Sequence, residues 1–431
     1  RYKPSRAINH HARRTVRYTR DLLSDLFLPM QRLLILFLSA FLFACGSGDG
    51  AESNTDASAD NGSAPIAETV AVDRVKSEKA TFRVVKMVGD LEHAWAVDWL
   101  PDGRMLVTER PGQMLLVDGK DKTPLSGVPE VWAENQGGLL DVRVAPDYEE
   151  TGWIYFSYSL KEGDKGGTVI SRAKLDGTSL TDVQEIYRQT PFLEPDYHFG
   201  SRIVFADDGT MYVALGERGQ RRERTVKIPT PSSSVGTTVR LNMDGSVPDD
   251  NPFVGQDDAR PEVYSYGHRN QQGMAVHPET GAIWQHEHGP HGGDELNLVE
   301  AGNNYGWSAV SYGDTYTTPH EEIGGTEAEG VTNPVKYWDP SPALSGMTFY
   351  TGDRFPEWKN SMFMGALAHL KLIRVELNEN NEVVAEEELI KGTIGRIRDV
   401  ATGPDGYLYV LTDAAKGGLY RLEPTKGTSK S

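Results

Sequence analysis

The chain has a single cysteine, Cys45, in 431 residues, so no intrachain disulfide can form. It has no apolar run long enough to span a bilayer. The run from Leu33 to Ala44 is twelve residues with only Ser39 polar, and a spanning helix takes about 20. It also lacks any sustained helical periodicity, any GxSxG nucleophile elbow, any P-loop and any GxGxxG fingerprint ahead of a helix. Serine hydrolysis and nicotinamide-linked hydride transfer therefore have no support. Basic charge is short: 44 Lys and Arg stand against 62 Asp and Glu, net −18. This argues against nucleic acid as the main partner, because phosphate binding needs a basic footprint.

What is present is apolar, aromatic and glycine-rich. Hydrophobic residues make up 38% of the chain, with 8 Trp, 18 Tyr and 45 Gly. That is enough for a core and leans towards an all-β fold. The N-terminus reads as targeting. Residues 1–29 resemble an upstream segment ahead of a true start at Met30. Residues 30–44 fit a signal peptide. Leu42-Phe43-Ala44-Cys45 resembles a bacterial lipoprotein cleavage box, with Cys45 lipidated; an ordinary signal peptide with an incidental cysteine is the alternative. Residues 1–44 carry eight basic and two acidic side chains, so their removal takes the net charge from −18 to −24. Residues 45–80, small, polar and acidic at their start, are expected to be a disordered tether, and 425–431 a disordered tail.

One pattern recurs six times: an apolar strand, a turn rich in Pro, Asp and Gly, and a second apolar strand. The copies start at Val97, Val142, Ile203, Met274, Met347 and Val400. Pro fixes φ and Gly accepts positive φ, so Pro-Asp-Gly closes a hairpin. The spacing leaves room for two further strands per copy. It predicts a six-bladed β-propeller over 81–424, with two β-sandwich domains as the alternative.

If the hairpins are equivalent, their Pro-Asp-Gly turns share one face of the propeller. The starts of first strands and the ends of second strands share the other. Gln136, His198, Arg269, Asn270, Arg396 and Arg398 lie two to six residues ahead of their copies. Glu217, Glu287 and Asp413 end second strands. Three arginines converging on one mouth of an acidic protein imply an anionic ligand, since guanidinium pairs bidentately with carboxylate. Residues 287–307, rich in carboxylates and Gly/Pro backbone oxygens, suit a hard cation such as Ca²⁺, with a well-satisfied turn that holds no metal as the alternative. Their two histidines suggest Zn²⁺ as an alternative, though no HExxH pattern is present.

The segments GGLLDVRVAPDY, HFGSRIVF, GHRNQQGMAVHP, EHGPHGGDELN, NNYGW and RIRDVATGPDGYLYVLTD resemble the soluble quinoprotein sugar dehydrogenases. They look most like the aldose branch of the glucose/sorbosone group, over about Leu91 to Leu422. The resemblance implies a six-bladed propeller that uses pyrroloquinoline quinone (PQQ) and Ca²⁺ to oxidise the anomeric carbon of aldoses to lactones. It implies His198 as the catalytic base, oriented by Glu217. Gln136, Arg269, Asn270, Tyr316, the Ala366-Leu367-Ala368 segment, Arg396 and Arg398 match PQQ contacts. Gly289 and Pro290 match positions whose backbone oxygens hold Ca²⁺, and Glu295 and Tyr305 match a further Ca²⁺ site. The resemblance leaves the electron acceptor open between a quinone and a cytochrome. Where many members carry a PQQ-touching Lys, this chain has Ala368, and Lys371 stands three residues on. The stretch after Glu217 is unusually basic. A rival function is a non-catalytic propeller that binds sugar or protein at the same rim. With Gly46 after Cys45, the expected location is the bacterial envelope, periplasmic or anchored in the outer membrane.

Overall fold

The computed structural model describes residues 69–219 and 230–425. The upstream segment, signal peptide, Cys45 and most of the expected tether lie outside them, as does 426–431 of the expected tail. All six predicted hairpins form, and each supplies the inner two strands of one blade. Blade one is Ala94–Trp99, Met105–Glu109, Gln113–Asp118 and Asp121–Pro124. Blade two is Leu139–Val144, Trp153–Glu162, Lys165–Asp176 and Ser179–Arg188. Blade three is Gly200–Phe205, Thr210–Leu215, Thr237–Asn242 and Val263–Tyr266. Blade four is Asn270–Val276, Ile283–His288, Asp294–Val299 and Lys336–Trp338. Blade five is Leu344–Phe349, Met362–Ala366, Lys371–Leu377 and Val383–Leu389. Blade six is Ile397–Thr402, Leu408–Thr412 and Gly417–Pro424, completed by Thr81–Leu91 from the start of the described chain.

Innermost strands of neighbouring blades pack against each other all the way round, blade six against blade one included. The circle closes through one ladder, in which Thr81–Leu91 pairs antiparallel with Gly417–Pro424. The energetics follow from strand alternation, which sends successive side chains to opposite faces. In blade one, Ala96, Leu106 and Met114 face blade two; Val97, Val107, Leu115 and Val117 face blade six. Among the described residues the same division gives six apolar clusters, each between two adjacent blades. No blade buries both its faces alone, so the stability of each rests on its neighbours.

The hairpin turns close as expected. In the first, Gly103 takes φ +89° and its N–H donates to the Leu100 carbonyl at 2.9 Å. The tether boundary needs correction. Thr69–Lys76, expected within a disordered segment, forms a fifth strand on the outer edge of blade six. Its alternating Val70 and Val72 pair with Val85 and Val84, and Val72 and Val75 pack on the cluster between blades five and six.

Candidate active site

The mouth residues cluster by a local rule. In blade three, His198 precedes the first strand and Glu217 follows the second, which brings them together across the hairpin. His198 Nδ1 lies 2.7 Å from Glu217 Oε1. In blade four, the carboxylate of Glu287 accepts the Arg269 backbone N–H at 2.5 Å. In blade six, Arg398 donates to Asp413 at 2.9 Å and Arg396 reaches the same oxygen at 3.5 Å. Three blades thus clamp a functional side chain or its backbone with an acid from the other strand of the same hairpin.

His198 sits in left-handed backbone, φ +58°, a conformation uncommon for a non-glycine residue and frequent at functional sites. Its own N–H donates to Gln136 Oε1 at 2.9 Å, so blade two's loop fixes the backbone that carries the His198 ring. Gly216 allows the clamp to close: a Cβ there would stand 2.0 Å from the His198 carbonyl oxygen. Burial is the main cause that pulls the His198 pKa below the ordinary imidazole value; Glu217 opposes it and Arg269 adds to it. With Nδ1 on the carboxylate, the proton-free nitrogen is Nε2, a base ready at neutral pH.

The sequence-predicted contacts divide between two adjoining cavities. The first, about 270 Å³, is lined by Gln136, Asn270, Leu367, Ala368, Arg396 and Arg398. The second, about 410 Å³, is lined by His198, Glu217, Arg269, Pro290 and Tyr316. Gln136 bonded to His198, and Asn270 following Arg269, join the two. Of the three arginines expected at the mouth, Arg396 and Arg398 line the first cavity. Arg269 faces the second cavity, over the Trp307 ring at 5.1 Å. The third guanidinium of the first cavity is Arg110. Ala366 lines neither cavity, because it points into the core within its strand and is fully buried. Lys371 does not replace the missing lysine at Ala368; it is buried and ion-paired with Glu388.

The first cavity suits a flat polyanion. Arg396 keeps 47% of its side chain exposed, and the buried Nε of Arg398 has no hydrogen-bond partner. Burial alone would raise the Asp413 carboxyl, but Arg398, His93 and Arg396 overcome it and hold it well below the usual carboxylate range. Asp413 is thus a fixed negative strut under two guanidinium groups, which still leaves the wall cationic. Trp95, Gln272 and His288 also line it.

The candidate cation residues are less closely gathered. The Gly289 N–H donates to Asp294 at 3.1 Å, and the Pro290 carbonyl accepts the Tyr316 hydroxyl at 2.7 Å. Burial, and next to it the Glu287 carboxylate, push Glu295 well above the usual carboxylate range. Asn297 donates to both acids, at 3.2 and 3.3 Å, while its own buried Oδ1 is unpartnered. This oxygen-only set is of the kind a hard cation takes. The Tyr305 hydroxyl is spent on the Leu298 carbonyl at 2.5 Å and the Glu300 N–H at 2.9 Å, so only its backbone carbonyl could meet a cation. Among the described residues, no three His, Cys, Asp or Glu side chains gather as a metal site.

Fold and site together define a propeller enzyme with a carboxylate-oriented histidine beside an arginine-lined cavity. The family model for glucose/sorbosone dehydrogenase matches residues 91–421, and the chain belongs to that family. It is 43% identical over 355 residues to the aldose sugar dehydrogenase YliI of Escherichia coli (strain K12), covering 80% of this chain and 94% of the relative. It resembles the crystal structure of the soluble aldose sugar dehydrogenase from Escherichia coli in the apo-form with a TM-score of 0.74 and 43% identity, over 80% of this chain and 100% of that one. The PQQ-bound form of the aldose sugar dehydrogenase from Streptomyces coelicolor gives a TM-score of 0.64 at 28% identity, over 78% of this chain and 96% of that one.

Proposed function

We propose that this chain oxidises the anomeric carbon of aldose sugars to lactones, with PQQ as its redox cofactor and Ca²⁺ as its metal. The observation that carries the reading is the His198–Glu217 pair at 2.7 Å beside a cavity walled by Arg110, Arg396 and Arg398. The three guanidinium groups would hold the carboxylates of PQQ, with Gln136, Asn270 and Gln272 meeting its polar edge. When bound, PQQ supplies the acceptor for the hydride that leaves C1. His198 Nε2 takes the proton of the anomeric hydroxyl. Glu217 holds the ring in that tautomer and stabilises the imidazolium that forms. Gln136 fixes the backbone that carries the ring. The carbonyl oxygens of Gly289 and Pro290 would hold Ca²⁺, which adds Lewis-acid polarisation; Glu295 and Tyr305 would serve a second ion. Electrons leave to a quinone or cytochrome. The mature body is tethered to a bacterial membrane through lipidated Cys45, facing the periplasm or exterior, and a Cys45→Ser protein is expected to leave the membrane fraction.

The test adds PQQ and Ca²⁺ to apo-protein and follows dye reduction with a panel of aldoses. Activity should need PQQ and fall in strong chelator. Full turnover with NAD alone contradicts the reading.

A further inference from the structure

Below the first cavity lies a charge that the mechanism does not use. Arg202, in the first strand of blade three, is 1% exposed. Its Nε donates to the Gln272 carbonyl at 2.9 Å and its Nη2 to the Arg398 carbonyl at 3.0 Å. Its flat face lies 4.0 Å from the Trp95 ring centroid. Gln272, Arg398 and Trp95 come from blades four, six and one, and all three line the cavity. The Arg398 carbonyl also accepts the Ser345 hydroxyl of blade five at 2.8 Å. Asp399 at 2.8 Å and Asp141 of blade two at 3.4 Å neutralise the guanidinium. Arg143 joins the set at 3.5 Å from Asp141.

A buried ion cluster of this kind is a poor source of net stability, because desolvation offsets most of the attraction. Its use lies in geometry. Inner strands of six blades meet at the axis without a shared hydrogen-bond ladder, so nothing in the sheets themselves sets how far apart Gln272, Arg398 and Trp95 stand. A guanidinium has five N–H donors in a rigid plane. It can grip two carbonyls in its plane and lay that plane on an aromatic face, whereas a lysine's ammonium is a point charge with no plane to fix their spacing.

We propose that Arg202 is a positioning residue for the cofactor cavity: it sets the spacing of Gln272, Arg398 and Trp95 across the propeller axis. The proposal rests on the reading of that cavity as the PQQ site. Arg202→Lys keeps the charge against Asp141 and Asp399 but loses the fork. Its control is Arg374→Lys in blade five, an equally buried arginine, paired with Glu387 at 3.0 Å and lining neither cavity.

Two readouts on the full chain decide the matter. In PQQ titrations, Arg202→Lys should raise Kd by roughly ten- to hundredfold, the scale on which removing a contact residue's support weakens a site. Its kcat at saturating PQQ should stay within about twofold. Arg374→Lys should lower Tm and leave Kd in place. In hydrogen exchange without cofactor, Arg202→Lys should speed exchange at the strands carrying Gln272 and Arg398 and not elsewhere. Unchanged Kd with a lowered Tm, an equal Kd shift in the control, or exchange spread evenly over the blades would each overturn the role. If the wild type binds no PQQ, the functional reading fails, and the exchange pattern alone decides whether Arg202 holds the two strands.

Discussion

Blades three and six use one local geometry for opposite purposes. In each, a nitrogen-bearing side chain at the start of the first strand meets an acid just past the second, at 2.7 Å for His198–Glu217 and 2.9 Å for Arg398–Asp413. In blade six the pair gives permanent charge: the guanidinium stays protonated throughout the working range and its carboxylate is held ionised. In blade three the nitrogen partner titrates, and burial pulls it towards the neutral form. The fold therefore repeats a mount, and the residue placed on it decides between a fixed charge and a titratable nitrogen. Under the proposed function, the asymmetry between anchor and base comes from side chains set on a nearly symmetric ring.

Removing the base should have the largest effect. His198→Ala is expected to lower kcat by about 10²–10⁴-fold, the range for a positioned general base, measured by dye reduction at saturating PQQ and sugar. Arg396→Ala should act on the anchor instead. Losing one charge-assisted bond should weaken PQQ by about 1.5–3 kcal/mol, read by cofactor titration, and part of the turnover should return when PQQ is raised. Arg396 is chosen because its half-exposed side chain leaves Asp413 paired with Arg398 and His93.

Glu217→Gln tests the mount itself. The carboxylate opposes the downward shift of His198, so its loss should move the acid limb of kcat/KM to lower pH while reducing kcat. An acid limb that moves up instead would show that Glu217 does not stabilise the imidazolium.

A smaller effect concerns wild-type stability. Since the folded-state pKa of His198 is lowered, the unfolded chain takes up the proton first as pH falls. The stability that neutral His198 contributes should be complete above the unfolded value of about 6.5 and decline below it towards the lower folded value. Chemical denaturation of wild type and His198→Ala across that window should show the variant with the flatter dependence. The smallest expected effect is a rise in Tm by roughly a few degrees on adding Ca²⁺ to apo-protein, reversed by chelator.

The parts of this arrangement that follow local rules could be read from the chain. The hairpins were legible because Pro-Asp-Gly turns and apolar alternation are written within about fifteen residues, and the mouth register followed from aligning them. Applied to blade one, the same register points to Trp95, two residues ahead of Val97, and to Arg110, directly after the second strand; both line the first cavity. Gln272 was within reach too, inside the GHRNQQG segment that supplied Arg269 and Asn270. Other features depend on partners far along the chain. Closure by Thr81–Leu91 pairs residues over 300 positions from their partners, and the strand at Thr69–Lys76 exists because that closing strand offers it an edge. The division of the arginines between two cavities depends on side-chain direction at the mouth, which spacing along the chain does not encode.

The most direct test of the division between base and anchor is a pair of PQQ titrations, followed by tryptophan fluorescence with Trp95 in the cavity wall, on His198→Ala and Arg396→Ala beside the wild type. The account predicts that His198→Ala binds PQQ with nearly the wild-type midpoint and does not turn over, while Arg396→Ala binds weakly and recovers part of its turnover at saturation. His198→Ala losing PQQ binding while keeping turnover at saturation would contradict it.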